Sequence, residues 1–217
     1  MIKMFEFNNP EFKILRKLDS PAKLQDFIDK IPINFENDGK GETCMSPLSV
    51  LKNNRAHCIE AAFLAALVIR LNKIGNGKAL VVDMRATKDD FDHVIAVFQE
   101  GSGKNAKWGA ISKSNHAVLR YREPVYRDIR ELIMSYFHEY TDDSGKKTLR
   151  EFSEVIDLSK FDDTNWVTCE DNLWSMNDYL DEVKHYQILE KNQQKKLRLA
   201  DYMERKIGKI TEWKKSK

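Results

Sequence analysis

The sequence predicts an α+β fold in which a buried helix opening at Cys58 packs on an antiparallel sheet, with further helices flanking it. Three observations lead there. From Cys58 to Lys73 apolar residues fall on every side of a helical projection, among them the small set Ala61, Ala62, Ala65 and Ala66, and Gly75 and Gly77 close the run. Ala79 to Met84 and His93 to Gln99 are short apolar runs with β-branched residues, separated by the acidic turn Asp89 to Asp92, and read as strands. The flexible stretch from Gly101 to Asn105 then turns the chain back through Trp108 to Ser112, an antiparallel partner for the strand that starts at His93.

The remaining elements follow in order. Ser20 and Pro21 form a cap and first-turn pair, opening a helix through Ile31 with Leu24, Phe27 and Ile28 on one side. Ser46 and Pro47 repeat the device for a short helix that Asn53 and Asn54 interrupt. Pro124 is expected to begin a helix on which Val125, Ile129, Leu132, Ile133, Tyr136 and Phe137 recur at helical spacing. Thr141 to Lys147 reads as a polar loop, Thr148 to Leu158 as a segment holding a strand, and Trp166 to Leu180 as one containing a helix rich in Trp174, Met176 and Tyr179. A single domain is expected over residues 1–186. Residues 187–217 are expected to form one long basic helix, packed on that domain or extending from it through Ile188, Leu197, Leu199, Tyr202 and Ile207.

Composition narrows the function. With 217 residues, 41% of them hydrophobic, the chain can bury a core without covalent staples. Three widely spaced cysteines, Cys44, Cys58 and Cys169, argue against a disulfide framework and for a reducing compartment, so a cytoplasmic location is expected. Met1 to Phe12 lacks the apolar core of a signal peptide, and Ile59 to Ile69 is too short to span a bilayer, so no membrane association is expected. Against 34 acidic residues stand 36 basic ones, too even a balance for a nucleic-acid binder as a whole. The tail from Lys191 is basic, however, and with Trp213 as a stacking platform it is the one place where single strands could bind.

A cysteine in the first turn of a helix meets the positive end of the helix dipole and unpaired backbone donors, which favour thiolate. Cys58 holds that position, against the plainer alternative of a packed structural thiol. His93, at the start of a strand after an acidic turn, can project into a cleft and exchange a proton with such a thiol. The alternative for His93 is a structural bond to Asp90 or Asp92. His57 lies about 100° around the helix from Cys58 and is expected to cap or pack. Together His57, Cys58, His93 and His116 lack the paired spacing of structural zinc motifs, so no metal is expected. No phosphate-cradling loop is visible and no cofactor is expected. Arg120, Arg122, Arg127 and Arg130 cluster around Pro124, where they either clamp an anion at a helix start or pair with Glu123, Asp128 and Glu131.

The order helix-start Cys58, strand-start His93, then Trp108 on the next strand resembles the transglutaminase-like and papain-like cysteine enzymes. Arg55-Ala56-His57-Cys58 and the segment from Trp108 to Lys113 look more closely like a group of bacterial transglutaminase-like proteins of unassigned function, over roughly residues 50 to 180. The resemblance implies hydrolysis or acyl transfer at an amide, ester or thioester, a peptide among the candidate substrates, with Cys58 as nucleophile and His93 as base and acid. The family's aspartate, four places after the tryptophan, is replaced here by Ser112. The orienting group for His93 is therefore sought in Ser112 or Asn115, with Asp83 in reserve. The alternative function is a non-catalytic module that retains the fold and binds a peptide or protein.

Overall fold

The computed structural model describes residues 10–36, 39 and 41–212. The expectations for Met1 to Phe12, in its first nine residues, and for Trp213 lie outside them. Ser20 caps α1 (Pro21–Lys30) by accepting a hydrogen bond from the Lys23 N–H, and Ser46 does the same for α2 (Pro47–Asn53) through Ser49. Asn54 ends α2 in the left-handed conformation, which asparagine tolerates, so the chain reverses within four residues into α3 (Cys58–Leu71). Eleven of the fourteen residues of α3, from Ile59 to Ile69, are buried.

Gly75 carries the turn from α3 into β1 (Leu80–Arg85) at φ +54°, where a side chain would meet the Gln99 carbonyl oxygen at 2.1 Å. β1 pairs antiparallel with β2 (His93–Glu100), and β2 with β3 (Lys107–Ile111), in the register Ala96 opposite Ile111 and Val97 opposite Ala110. β4 (Arg122–Tyr126) forms one edge of the sheet. Beyond β1 lie β5 (Glu151–Ser153), β6 (Ile156–Asp157) and β7 (His185–Gln187), so that the sheet runs β4-β3-β2-β1-β5-β7 with β6 also on β1.

Both faces of the central strands are covered, which explains why β1 and β2 read as unbroken apolar runs rather than as alternating ones. Val81, Ala96, Phe98 and Ile111 pack with α3, whereas Val82, Ile95, Val97 and Ala110 pack with α4 (Ile129–Phe137) through Leu132, Ile133 and Tyr136. The architecture is thus α+β, as expected.

Two elements differ from the sequence reading. Pro124 does not open a helix. It sits in edge strand β4, where a missing N–H breaks no ladder, and α4 begins only after Asp128, whose carboxylate accepts from the Glu131 N–H. The helix expected within Trp166 to Leu180 is α5 (Trp174–Glu182), which carries Trp174, Met176 and Tyr179 as expected. The long C-terminal helix is replaced by β7 and two short helices, α6 (Lys191–Gln194) and α7 (Tyr202–Gly208). Asp201 restarts the chain as an N-cap, accepting from the Met203 and Glu204 N–H groups. Ile188 is buried, but Leu199, Tyr202 and Ile207 are exposed, so that face does not pack as expected. No helix among the described residues is long and apolar enough to cross a membrane.

Candidate active site

Cys58 is the first residue of α3, and a short parallel bridge sets its position. Ile33 pairs with Ala56, the Asn34 N–H donates to the Ala56 carbonyl and the Ala56 N–H to the Pro32 carbonyl. This fixes the chain two residues ahead of the thiol, against the loop that follows α1. Beneath the helix start, fully buried Glu60 accepts from the Thr43 hydroxyl (2.6 Å), the Met45 N–H (2.9 Å) and the His57 N–H (3.0 Å). A buried carboxylate is tolerated only when its lone pairs are filled in this way. Glu60 is the tie between loop and helix, and the sequence reading passed over it inside an otherwise apolar run.

His93, at the start of β2, is buried, and its Nε2 lies 2.7 Å from Ser112 Oγ. The Ser112 hydroxyl donates to the Leu119 carbonyl at 2.6 Å, so its hydrogen is committed and Nε2 of His93 must be the donor. Ser112 is itself clamped, since its N–H donates to Gln25 Oε1 and its carbonyl accepts from Gln25 Nε2. Continuing the β2–β3 register one step past Ile111 puts Ser112 on the same face as Ile95 and His93, which settles the pairing that the hairpin loop alone left open.

With Nε2 taken by Ser112, Nδ1 is the nitrogen of His93 left for Cys58. Burial opposes ionisation of the Cys58 thiol, but hydrogen bonds from His57 and His93 outweigh it and hold the thiol well below its ordinary range. His57 therefore does more than cap or pack. Its ring reaches the sulfur because the residue stands in the extended conformation at the helix N-cap and does not follow the helical rotation. Cys44, by contrast, is buried, and burial pushes its thiol up to about 12, in keeping with a structural role.

Cys58 is partly exposed and opens on a cavity of about 500 Å³, whose wall includes His57, His93, Asn115, Asp92 and Tyr140. Asn115 is brought to this wall, with its backbone carbonyl accepting from the Glu212 N–H; the group on His93 is Ser112. Asp83 is elsewhere, bound by His185 Nε2 at 3.0 Å. The arginines around Pro124 are paired rather than poised for an anion. Arg120 meets Glu212, Arg122 meets Glu139, Arg127 meets Glu131, and Arg130 donates to the Ile188 carbonyl. Among the described residues no cluster of three or more His, Cys, Asp or Glu side chains has the arrangement to hold a metal ion.

The end of the described chain closes one side of the cavity. The Ala117 N–H donates to the Ile210 carbonyl, Thr211 bridges His116, and Nδ1 of His116 donates to the Gly208 carbonyl at 3.0 Å. No protein-family model and no curated protein matches the chain, so what the site does is argued from its residues.

Proposed function

We propose that the protein is a cysteine-dependent hydrolase or acyltransferase acting at an amide, ester or thioester, on a core of the papain-like and transglutaminase-like kind. The observation that carries this reading is the Cys58–His93–Ser112 chain of contacts: a helix-start thiol, an imidazole facing it, and a hydroxyl that fixes the far nitrogen of that imidazole. Cys58 attacks the carbonyl carbon as thiolate, His93 serves in proton transfer, and backbone N–H groups at the start of α3 offer hydrogen bonds to the oxyanion. Ser112 is a positioning residue, as the asparagine is in papain-like proteases.

The replacement of a carboxylate by the Ser112 hydroxyl favours a second reading, a peptide-binding module whose cavity retains the thiol without turnover. The two readings separate on incubation with peptide thioesters and p-nitrophenyl esters, followed by intact-mass analysis. An enzyme accumulates or turns over an acyl adduct on Cys58 that Cys58→Ala abolishes. A binding module shows neither adduct nor turnover, and that result would retire the enzymatic reading.

A further inference from the structure

We infer that His57, not His93, carries the proton of the Cys58 ion pair, so that the site works with two imidazoles on one sulfur. The inference rests on the reading of Cys58 as nucleophile and assigns the acid and base within it.

On each ring Nε2 is bonded to an oxygen, so Nδ1 is the nitrogen left for Cys58. His57 Nε2 lies 2.8 Å from the Thr43 carbonyl oxygen, which can only accept, so that nitrogen bears hydrogen. His93 Nε2 likewise donates to Ser112, leaving each Nδ1 for Cys58. The rings differ in what stands behind them. Behind His57 are two carboxylates, Glu36 Oε1 at 3.4 Å and Glu60 Oε1 at 3.5 Å, as well as the Thr43 carbonyl. The group behind His93 is a neutral hydroxyl that has given its own hydrogen away. Negative charge beside an imidazole favours its protonated form, so the proton taken from Cys58 settles on His57. The carboxylate missing from the Ser112 position is thus supplied to the other histidine.

Asp90, Asp92, Tyr140 and Cys44 do not reverse this. Asp90 and Asp92 also line the cavity, but Asp90 accepts from the Thr148 hydroxyl and the Phe91 N–H and Asp92 from the Ala86 N–H, and the His93 ring is bonded to Ser112 rather than to either carboxylate. Burial pushes Tyr140 well above its ordinary range and Cys44 up to about 12, so both stay neutral beside the sulfur. Burial alone would lower the His57 imidazole; its bond to Cys58, the thiolate charge, Glu60 and the Thr43 carbonyl together lift it to about 9.

The chemistry then divides between the rings. The Cys58 sulfur bonds to the carbonyl carbon, the bond to the leaving group breaks with its electron pair, and the leaving atom takes the Nδ1 proton of His57. In the second step water or an acceptor amine adds to the thioester and gives its proton to Nδ1 of His93. The carbon–sulfur bond breaks with its pair returning to sulfur, and the proton passes from His93 back to His57 through solvent.

The test is the pH profile of iodoacetamide alkylation of Cys58 from pH 5 to 9, read by mass spectrometry with Cys44 and Cys169 as internal controls, for wild type, His57→Gln and His93→Gln. The expected result is alkylation of the wild type at pH 6. His57→Gln moves the midpoint towards the ordinary thiol value of about 8.5, at about tenfold in rate at pH 6 for each unit, while His93→Gln moves it less. Because His57→Gln also frees the Thr43 carbonyl, folded wild-type protein supplies a second readout. Its imidazole ¹⁵N shifts at pH 7.5 should show the proton of the ion pair on His57 rather than on His93. If His93→Gln alone raises the midpoint, or His93 is the ring protonated at pH 7.5, the inference is overturned and the proposed function stands. If wild-type Cys58 alkylates no faster than the controls, both fall.

Discussion

His93 Nε2 and Ser112 Oγ stand 2.7 Å apart, and the Ser112 hydroxyl is simultaneously 2.6 Å from the Leu119 carbonyl, so one side chain satisfies two buried polar groups. Ser112→Ala leaves the imidazole N–H and the carbonyl without that partner. Each unsatisfied buried group costs about 1–3 kcal/mol, so a loss of stability in that range or above is expected in urea unfolding. The freed ring also loses its fixed direction, and acylation of Cys58 should slow. Unchanged stability and unchanged acylation would show that Ser112 does not position His93.

The path to this pair was half legible in the sequence. The helix start at Cys58 and the strand start at His93 follow from periodicity and turn residues, which are local signals. Which residue faced His93 depended on strand register, a property of two segments joined by a loop whose length fits several pairings, and only the observed Ala96–Ile111 pairing decides for Ser112 over Asn115. Glu60 and the loop from Asn34 to Thr43 were illegible for another reason. The bonds from Thr43 and Met45 to Glu60 join residues 15 or more apart with no shared spacing, and a single glutamate in an apolar helix reads as an interruption rather than as an anchor. Pro124 misled because proline serves a helix start and an edge strand equally well, and edge position is a tertiary fact.

Glu60→Gln is expected to be one of the most damaging single-atom changes in the chain. The carboxylate receives donors on both oxygens, from Thr43 and Met45 on one and from His57 on the other, with Asn34 Nδ2 at 3.4 Å. An amide must turn its own NH₂ towards one of these sets. At about 1.5–3 kcal/mol for each hydrogen bond to a charged group, a loss of about 3 kcal/mol or more is expected in chemical denaturation. Amide exchange should accelerate at Thr43 and Met45 before it does in β2. Loss of less than about 1 kcal/mol would mean that the loop is held by other contacts.

Gly75→Ala tests the packing of the α3–β1 turn. At φ +54° an added Cβ would lie 2.1 Å from the Gln99 carbonyl oxygen, and that atom is backbone within β2, so it cannot swing aside. Strain of this kind costs about 1–3 kcal/mol for the backbone conformation alone, before the clash is relieved. The melting temperature should fall by several degrees or more, by about 2–4 °C for each kcal/mol in a chain of this size. Gly103 is the control: its φ is also positive, at +55°, but an added Cβ meets nothing within 4 Å, so Gly103→Ala should cost less than Gly75→Ala. Equal losses would show that the clash with Gln99 contributes nothing.

The buried pair Asp83 and His185 gives stability a pH dependence separate from that of the active site. Burial raises the Asp83 carboxyl to about 6, against a lowering by the hydrogen bond and charge of His185. A carboxyl raised in the folded state favours folding while protonated: its contribution is full below the unfolded value of 3.8 and is lost as pH rises through about 6. Above that pH the folded chain holds a buried carboxylate whose partners are the His185 ring, at 3.0 Å, and the Arg85 guanidinium, at 3.6 Å. His185→Ala removes the nearer of these and drives the Asp83 carboxyl further upward. The variant should therefore lose more stability at pH 7.5, where Asp83 must ionise, than at pH 4.5, where it is already protonated. Urea midpoints of wild type and variant at the two pH values measure the difference. An equal loss at both would mean that His185 contributes packing alone, and a larger loss at pH 4.5 would reverse the sign and show that Asp83 is ionised there in the folded protein.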